Sequence, residues 1–579
     1  MYDKRIKIFI GISSLLLFVC LLRLVQMQLL PGSTVQDDIA KLRAQGQESR
    51  QLKTIRGKIL DRNGQVLVTS RLSFDAAITY QELGDREKLF RVFRDTLGMT
   101  DKDIEKALAK SRKKSYAPVA ILEDIDKEKA IALEESSCDI PGLEIATRSK
   151  RDYILKNSGA HIFGYISEMT ENELLDMKDY GYRSGDLIGR SGIEKYYDSY
   201  LRGVDGGTQI EVDNRGKEMR SLGVKEPSSG KDIYLTIDKS IQLACDKLLG
   251  EHKGAAIVMD PRTGEILALA SHPAFDPNIF VKPDTSQERL ELLRDKVGRP
   301  MSDRAISGLY PPGSVFKIVT AAAGLESNRI SKNTQFTCNG SYKLGKATFD
   351  CWKKEGHGPQ NIVGGLKYSC NVFFYSMGRI VGVDIIENYA KMFGFGKLTG
   401  IDLPDEVKGI APGREWKRLY RKAVWYEGET INYAIGQGYL MVTPIQVLNM
   451  MAEVANNGTI VHPHIVKRIG DDFIPAQKSK RLDIREATLK IIKQGLFEVV
   501  NGEHGTGARA KSEGVVAAGK TGTAENPLGK THAWFSGFAP FDDPKICVVV
   551  FLEHGGKGGL EPAGIASGIF KEAKDRGYL

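Results

Sequence analysis

Residues 8–22 are apolar apart from Gly11, Ser13 and Ser14, and the basic cluster Lys4, Arg5 and Lys7 precedes them. The run halts at Arg23 and resumes through Leu24, Val25, Met27, Leu29 and Leu30, long enough as a helix to span about 30 Å at about 1.5 Å per residue. A cleaved signal peptide would have an apolar region of similar length, but no A-x-A-like site follows. The pattern predicts a single membrane anchor over residues 1–30, with a short cytoplasmic tail and everything after Leu30 outside.

Beyond Pro31-Gly32 the periodicity alternates between two and 3.6. Asn63-Gly64 between short apolar runs marks a hairpin turn, and residues 85–136 switch to helical spacing, with a capping box at Thr100 to Asp103 and a basic edge at Arg112, Lys113 and Lys114. Strand-like segments return at 164–166 and 208–212, and alternation over 233–238 sets a domain boundary near 230–250. After it, 255–259 and 265–269 flank a turn, as do 532–538 and 546–553 near the far end, while 300–460 reads as helix and loop and 562–574 as a last helix. Strands at both ends of a segment with helices between imply one antiparallel sheet covered by helices. The expected class is α+β, divided into an anchor (1–30), an elongated pedestal (31–238) with a helical head insertion, and a larger C-terminal domain (239–579) with a central antiparallel sheet flanked by helices.

Composition narrows the function classes. A chain of 579 residues is too long for one small binding module, and 41% apolar with 27% charged residues is globular. The net charge of +9 is spread thinly, without the dense Arg/Lys stripe of a nucleic-acid binder, so no nucleic acid is expected as partner. Seven cysteines are too few for a disulfide scaffold.

Three short motifs carry chemistry. Ser314-Val315-Phe316-Lys317 opens an apolar helical run, which places Ser314 at a helix N-terminus and Lys317 about one turn away on the same face. Ser369-Cys370-Asn371 falls on an inter-helix loop, and Lys520-Thr521-Gly522-Thr523 follows an apolar strand-like stretch. Each motif alone arises by chance in a chain of this length. Their order, S-x-x-K, S-x-N and K-T-G, is that of serine β-lactamases and penicillin-binding proteins. A decoy overlaps the third: Gly514 to Thr521 matches the P-loop pattern, but polar residues precede it and Gly522, Asn526 and Pro527 follow where a helix is needed.

Together with Arg56 to Gly64, Gly189 to Glu194, and Gly413-Arg414-Glu415-Trp416 through Trp425-Tyr426 to Tyr439, these motifs resemble the class B penicillin-binding proteins, the elongation-type penicillin-binding protein 2 above all. The resemblance implies a β-lactamase-like transpeptidase domain that crosslinks peptidoglycan stem peptides and is acylated by β-lactams. It implies Ser314 as nucleophile, Lys317 as base and Ser369 as proton relay. Asn371 would hold the substrate amide, Lys520 would supply positive charge, and Thr521, Gly522 and Thr523 would bind substrate, with backbone NH groups of Ser314 and Thr523 as the oxyanion hole. It also implies an inner-membrane, mainly periplasmic enzyme partnered by a RodA-type glycosyltransferase and an MreC-type scaffold. Two alternatives stand beside it: a D,D-carboxypeptidase or β-lactamase-type hydrolase, and a β-lactam sensor without turnover.

Cys338, Cys351, His357 and Cys370 fall within 33 residues. Three thiolates and an imidazole suit a closed tetrahedral zinc site of structural role, which would brace Ser369 and Asn371. A Cys338–Cys351 disulfide and ordinary buried thiols are the competing readings.

Overall fold

The computed structural model describes residues 11–22, 24, 47–111, 118–177, 180–183, 185–212, 218–283, 285–475, 480–526 and 529–579. Of the expected anchor, residues 11–22 are helical with their large apolar side chains exposed, and most of the remainder lies outside the described residues. Among the described residues no helix is long and apolar enough to cross a membrane.

The chain forms two compact units. The first comprises residues 1–55, 72–149 and 203–229; the second comprises 56–71, 150–202 and 230–579.

In the first unit, Gln47–Leu52, Gly206–Val212 and Glu218–Lys225 form a three-stranded antiparallel sheet with the middle segment central. Helices Arg86–Leu97, Asp101–Ser111 and Lys127–Ser137 enclose a small core of Leu89, Phe93, Ile104, Leu108 and Leu133. The Thr100 hydroxyl accepts from the Asp103 backbone NH at 3.3 Å, as the capping pattern anticipates. The helical spacing hid one strand, Val119–Ile125, which interrupts the helices. The expected basic edge at 112–114 lies outside the described residues.

The second unit is built on a five-stranded antiparallel sheet in the order 266–272, 254–259, 546–552, 532–539, 518–524. Its strands are buried on both faces, and alternate residues divide between two cores. Ala256, Val258, Val548 and Val550 pack with Ile569 and Phe570 of the final helix Glu561–Asp575 and with Ile241 of helix Lys239–Leu249. Ile257, Met259, Val549 and Phe551 face a larger core with helices Lys317–Glu326, Asn371–Val381 and Pro444–Ala455. The sheet therefore joins strands from the two ends of the domain, as the hairpin pattern predicts. Ala518–Ala524 is an edge strand.

Residues 56–71 and 150–202 fold with this second unit. Ile59–Leu60 pairs parallel with Ile233–Leu235, which pairs antiparallel with Val466–Ile469. A buried ion-pair cluster fixes the segment: Glu194 takes Arg151 Nε at 2.7 Å on one oxygen and Arg56 Nε at 2.6 Å on the other, and Arg56 Nη2 reaches Asp198 at 2.7 Å.

Candidate active site

Ser314 lies in a 3-10 turn, Gly313–Phe316, and the α-helix proper begins at Lys317. The tight turn arises because Pro311-Pro312 blocks an earlier helical start and Gly313 sits at φ +54°. A Cβ on Gly313 would fall 2.6 Å from the Thr523 carbonyl oxygen, so only glycine lets the turn reach the edge strand. Gly522 serves the same approach from the other side: a Cβ there would meet the Pro312 carbonyl oxygen at 2.8 Å.

Three further bonds hold the turn. Gly313 N donates to the Gly436 carbonyl at 3.0 Å, Trp534 Nε1 donates to the Pro311 carbonyl at 3.0 Å, and the Tyr310 hydroxyl donates to Glu553 at 2.5 Å. Gly436 lies in the family stretch that ends at Tyr439, but nothing in local sequence pattern pointed to Trp534 or Glu553, because each comes from a distant segment.

Lys317 is fully buried, and its Nζ donates to the Ser369 carbonyl at 2.8 Å, the Ser369 hydroxyl at 3.3 Å and Asn371 Oδ1 at 2.7 Å. Burial lowers its pKa to about 8, against the opposing pull of nearby Cys370 and Cys351. Ser369 stands between helices Ile362–Lys367 and Asn371–Val381, at φ +52°, a left-handed conformation unusual for serine. That conformation turns both its carbonyl and its hydroxyl toward Lys317.

Lys520, also fully buried, donates to the same Ser369 hydroxyl at 3.0 Å. Burial, and then the charge of Lys317, push its pKa well below the ordinary lysine value. Thr521 and Thr523 share a face of the strand but differ in setting. Thr521 is buried and donates to the Thr506 hydroxyl at 3.2 Å, while Thr523 is exposed and accepts from Gly558 N at 3.3 Å. Thr506 itself donates to the Lys367 carbonyl at 3.0 Å; the sequence offered no signal for it beyond its glycine neighbours. Residues 518–524 are strand throughout, so no helix follows Thr521 and the P-loop pattern has no structural counterpart.

Cys338, Cys351, His357 and Cys370 also converge, their donor atoms all within 4.8 Å of one another. Cys338 Sγ and Cys351 Sγ each lie 3.6 Å from His357 Nδ1. A tetrahedral zinc with Zn–S near 2.3 Å and Zn–N near 2.0 Å separates sulfur from nitrogen by about 3.6 Å, so the donor set fits that ion. The hydrogen bond from Cys370 holds the Cys351 thiol well below its ordinary pKa, with His357 adding to the shift, and the same bond raises Cys370. All seven cysteines are free. Cys370 caps the helix that carries Asn371, its sulfur accepting from Phe373 N at 3.5 Å.

Residues 254–573 match the family model of the penicillin-binding protein transpeptidase domain, and residues 51–235 match that of the penicillin-binding protein dimerisation domain. The chain is 34% identical to the peptidoglycan D,D-transpeptidase MrdA of Haemophilus influenzae, over 89% of this chain and 83% of that protein. It is similar to PBP2 of Helicobacter pylori, solved in complex with MreC, with a TM-score of 0.81 and 29% identity over 92% of this chain and all of that one. A chain from a peptidoglycan synthase complex that coordinates polymerization and crosslinking matches with a TM-score of 0.76 and 30% identity over 98% of each chain.

Proposed function

This chain belongs to the penicillin-binding protein 2 family of peptidoglycan D,D-transpeptidases, and on that premise we propose that Ser314 is the residue acylated by the donor stem peptide. The observation that carries the reading is the buried relay behind the serine turn, in which Lys317 and Lys520 share the Ser369 hydroxyl.

The chemistry is acyl transfer in two steps. Ser314 Oγ attacks the carbonyl carbon of the penultimate D-Ala while its proton passes to neutral Lys317. The C–N bond to the terminal D-Ala then breaks, and the proton travels through Ser369 to the leaving amine. An acceptor amine attacks the resulting ester, its proton returns by the same route, and Ser314 is regenerated as the crosslink forms. Backbone NH groups of Ser314 and Thr523 would stabilise the oxyanion, Asn371 would hold the donor amide, Thr521 and Thr523 would bind the carboxylate, and Lys520 would supply positive charge behind them. The edge strand 518–524 leaves backbone groups free to pair with an extended peptide. β-Lactams would acylate Ser314 as mimics of D-Ala-D-Ala.

Cys338, Cys351, His357 and Cys370 would hold a structural zinc, supported by the 3.6 Å sulfur–nitrogen spacings. A closed four-ligand site takes no part in the chemistry; it would fix the Ser369-Cys370-Asn371 loop. The charged-then-apolar N-terminus supports an inner-membrane, single-pass protein with its bulk in the periplasm. The dimerisation-domain match over 51–235 supports a pedestal within 31–238 ahead of a transpeptidase domain over 239–579, with 56–71 and 150–202 packed into the same unit as the latter. The solved relatives support an MreC-type scaffold and a RodA-type glycosyltransferase as partners.

Incubating the full-length protein with a fluorescent penicillin and mapping the adduct tests the assignment. The label is expected on Ser314 and absent after Ser314→Ala. A label elsewhere, or one that survives the substitution, overturns it.

A further inference from the structure

The segment after Gly413 reads Arg-Glu-Trp-Lys-Arg-Leu-Tyr-Arg-Lys, five cations and one acid within nine residues, or +5 − 1 = +4. Residues Arg414–Arg421 of it form a helix. One cation is internal: Lys417 Nζ donates to the Val424 carbonyl at 2.6 Å and to Glu429 at 2.5 Å, anchoring the helix to the segment that follows. Arg418, Arg421 and Lys422 face solvent, and beside them stand Tyr420, 71% exposed, and Tyr426, 63% exposed. Trp416 stacks on Tyr420 with ring centroids 5.8 Å apart, and the Arg421 guanidinium lies 5.9 Å from the Trp416 ring and 5.5 Å from Tyr439. Exposed tyrosines set beside half-buried rings that hold an arginine in place form a pre-ordered mixed surface, suited to binding a ligand with both apolar faces and anionic groups.

The strip is tied to the serine turn through the core. Tyr433 stacks on Phe316, two residues from Ser314, with centroids 5.2 Å apart at 18°, and Gly436 accepts the Gly313 NH. Tyr439, three residues further, carries the path to Trp416 at 5.4 Å. A ligand on the strip would therefore bear on a segment that also braces the serine turn from the core side. Peptidoglycan has the complementary chemistry: sugar rings offer C–H faces to aromatics, and stem peptides carry carboxylates for arginine.

We propose that helix Arg414–Arg421 together with Tyr426 is a docking strip for the glycan strand that supplies the acceptor peptide. Arg418 and Arg421 take stem-peptide carboxylates, and Tyr420 and Tyr426 stack on sugar faces. The proposal rests on the reading of Ser314 given above.

The test uses full-length protein in detergent and, as probe, fluorescent uncrosslinked glycan strands bearing pentapeptides. Strand affinity is expected to fall about tenfold in Arg418→Glu/Arg421→Glu and about tenfold in Tyr420→Ala/Tyr426→Ala. The affinity of the unaltered protein should weaken with added salt, and that of the arginine variant should respond less. Penicillin labelling of Ser314 in each variant reports that the serine turn is intact. Unchanged strand affinity in labelled variants overturns the strip alone, whereas failure of the unaltered protein to label at Ser314 overturns the catalytic reading. Loss of penicillin labelling in both variants, or loss of binding to phosphatidylglycerol vesicles with strand affinity retained, also overturns the strip.

Discussion

Lys520 donates to the Ser369 hydroxyl at 3.0 Å across 151 residues of chain, and that bond ties the edge strand to the loop between two helices. The same hydroxyl lies 3.3 Å from Lys317, so one oxygen connects the two lysines. Replacing that hydroxyl with hydrogen breaks the proposed proton path and leaves each of the two buried amines one partner short. Ser369→Ala should lower the second-order rate of penicillin acylation by about 10²- to 10⁴-fold, the usual worth of a positioned proton-transfer group. A rate within about threefold of the unaltered protein would remove Ser369 from the proton path.

A base must be neutral to accept a proton. Burial brings Lys317 down to about 8 from the ordinary 10.5, so its neutral fraction grows as pH rises through about 8. The acylation rate should climb on the acid side and level off above that value, as a stopped-flow profile from pH 6 to 10 would read. A limb near 10.5 would mean that the burial seen here does not act on the reactive lysine.

Glu453 lies in the fully buried helix Pro444–Ala455, 2% exposed, with Oε2 lacking a hydrogen-bond partner among the described residues. Burial raises its pKa to about 8 from 4.5. Between those values the folded chain holds a proton that the unfolded chain releases, so stability declines as pH rises, by up to about 1.4 kcal/mol per pH unit. Glu453→Gln should raise the midpoint of thermal unfolding at pH 8 and change it little at pH 5. Equal shifts at both pH values would contradict this account.

Glu194 is fully buried between Arg56 and Arg151. Glu194→Gln keeps the shape but removes the charge that both guanidinium groups face. Loss of one partner from a buried ion cluster costs about 3–5 kcal/mol, and urea unfolding should register it. A change below about 1 kcal/mol would show that neighbouring groups carry the pairing instead.

Metal analysis of protein purified without chelator should find one zinc per chain. Cys338→Ser should lose it, and because Cys370 caps the helix that begins at Asn371, the acylation rate should fall too. Full acylation without metal would separate the thiol cluster from the catalytic loop.

The convergence of Lys317, Ser369, Asn371 and Lys520 was legible in the sequence because they sit in short motifs whose order is itself a signal. The sheet was legible from two hairpins at opposite ends of the domain. What supports the site was not. Thr506 and Glu553 act through side chains that meet the motifs only after folding, and no periodicity marks them. The strand at 119–125 was read as helix because the stretch around it carries helical spacing, and the strand pairs with a segment some 45 residues earlier, Phe74–Ile78. Glu194 was visible only as part of a family motif; its burial between two arginines is a tertiary fact.

Strands 254–259 and 266–272 are synthesised early in the catalytic unit, yet the neighbour of 254–259 on the other side is 546–552, almost 300 residues later. The helix that covers one face, Glu561–Asp575, comes later still. Until those residues arrive, an apolar hairpin stays open on both faces, a template for pairing with another chain. A domain whose sheet is closed by its last residues folds slowly, since long loops must be closed before the contacts that reward them form. Truncations near the C-terminus should therefore surface as aggregation during synthesis, before any loss of catalysis could be measured.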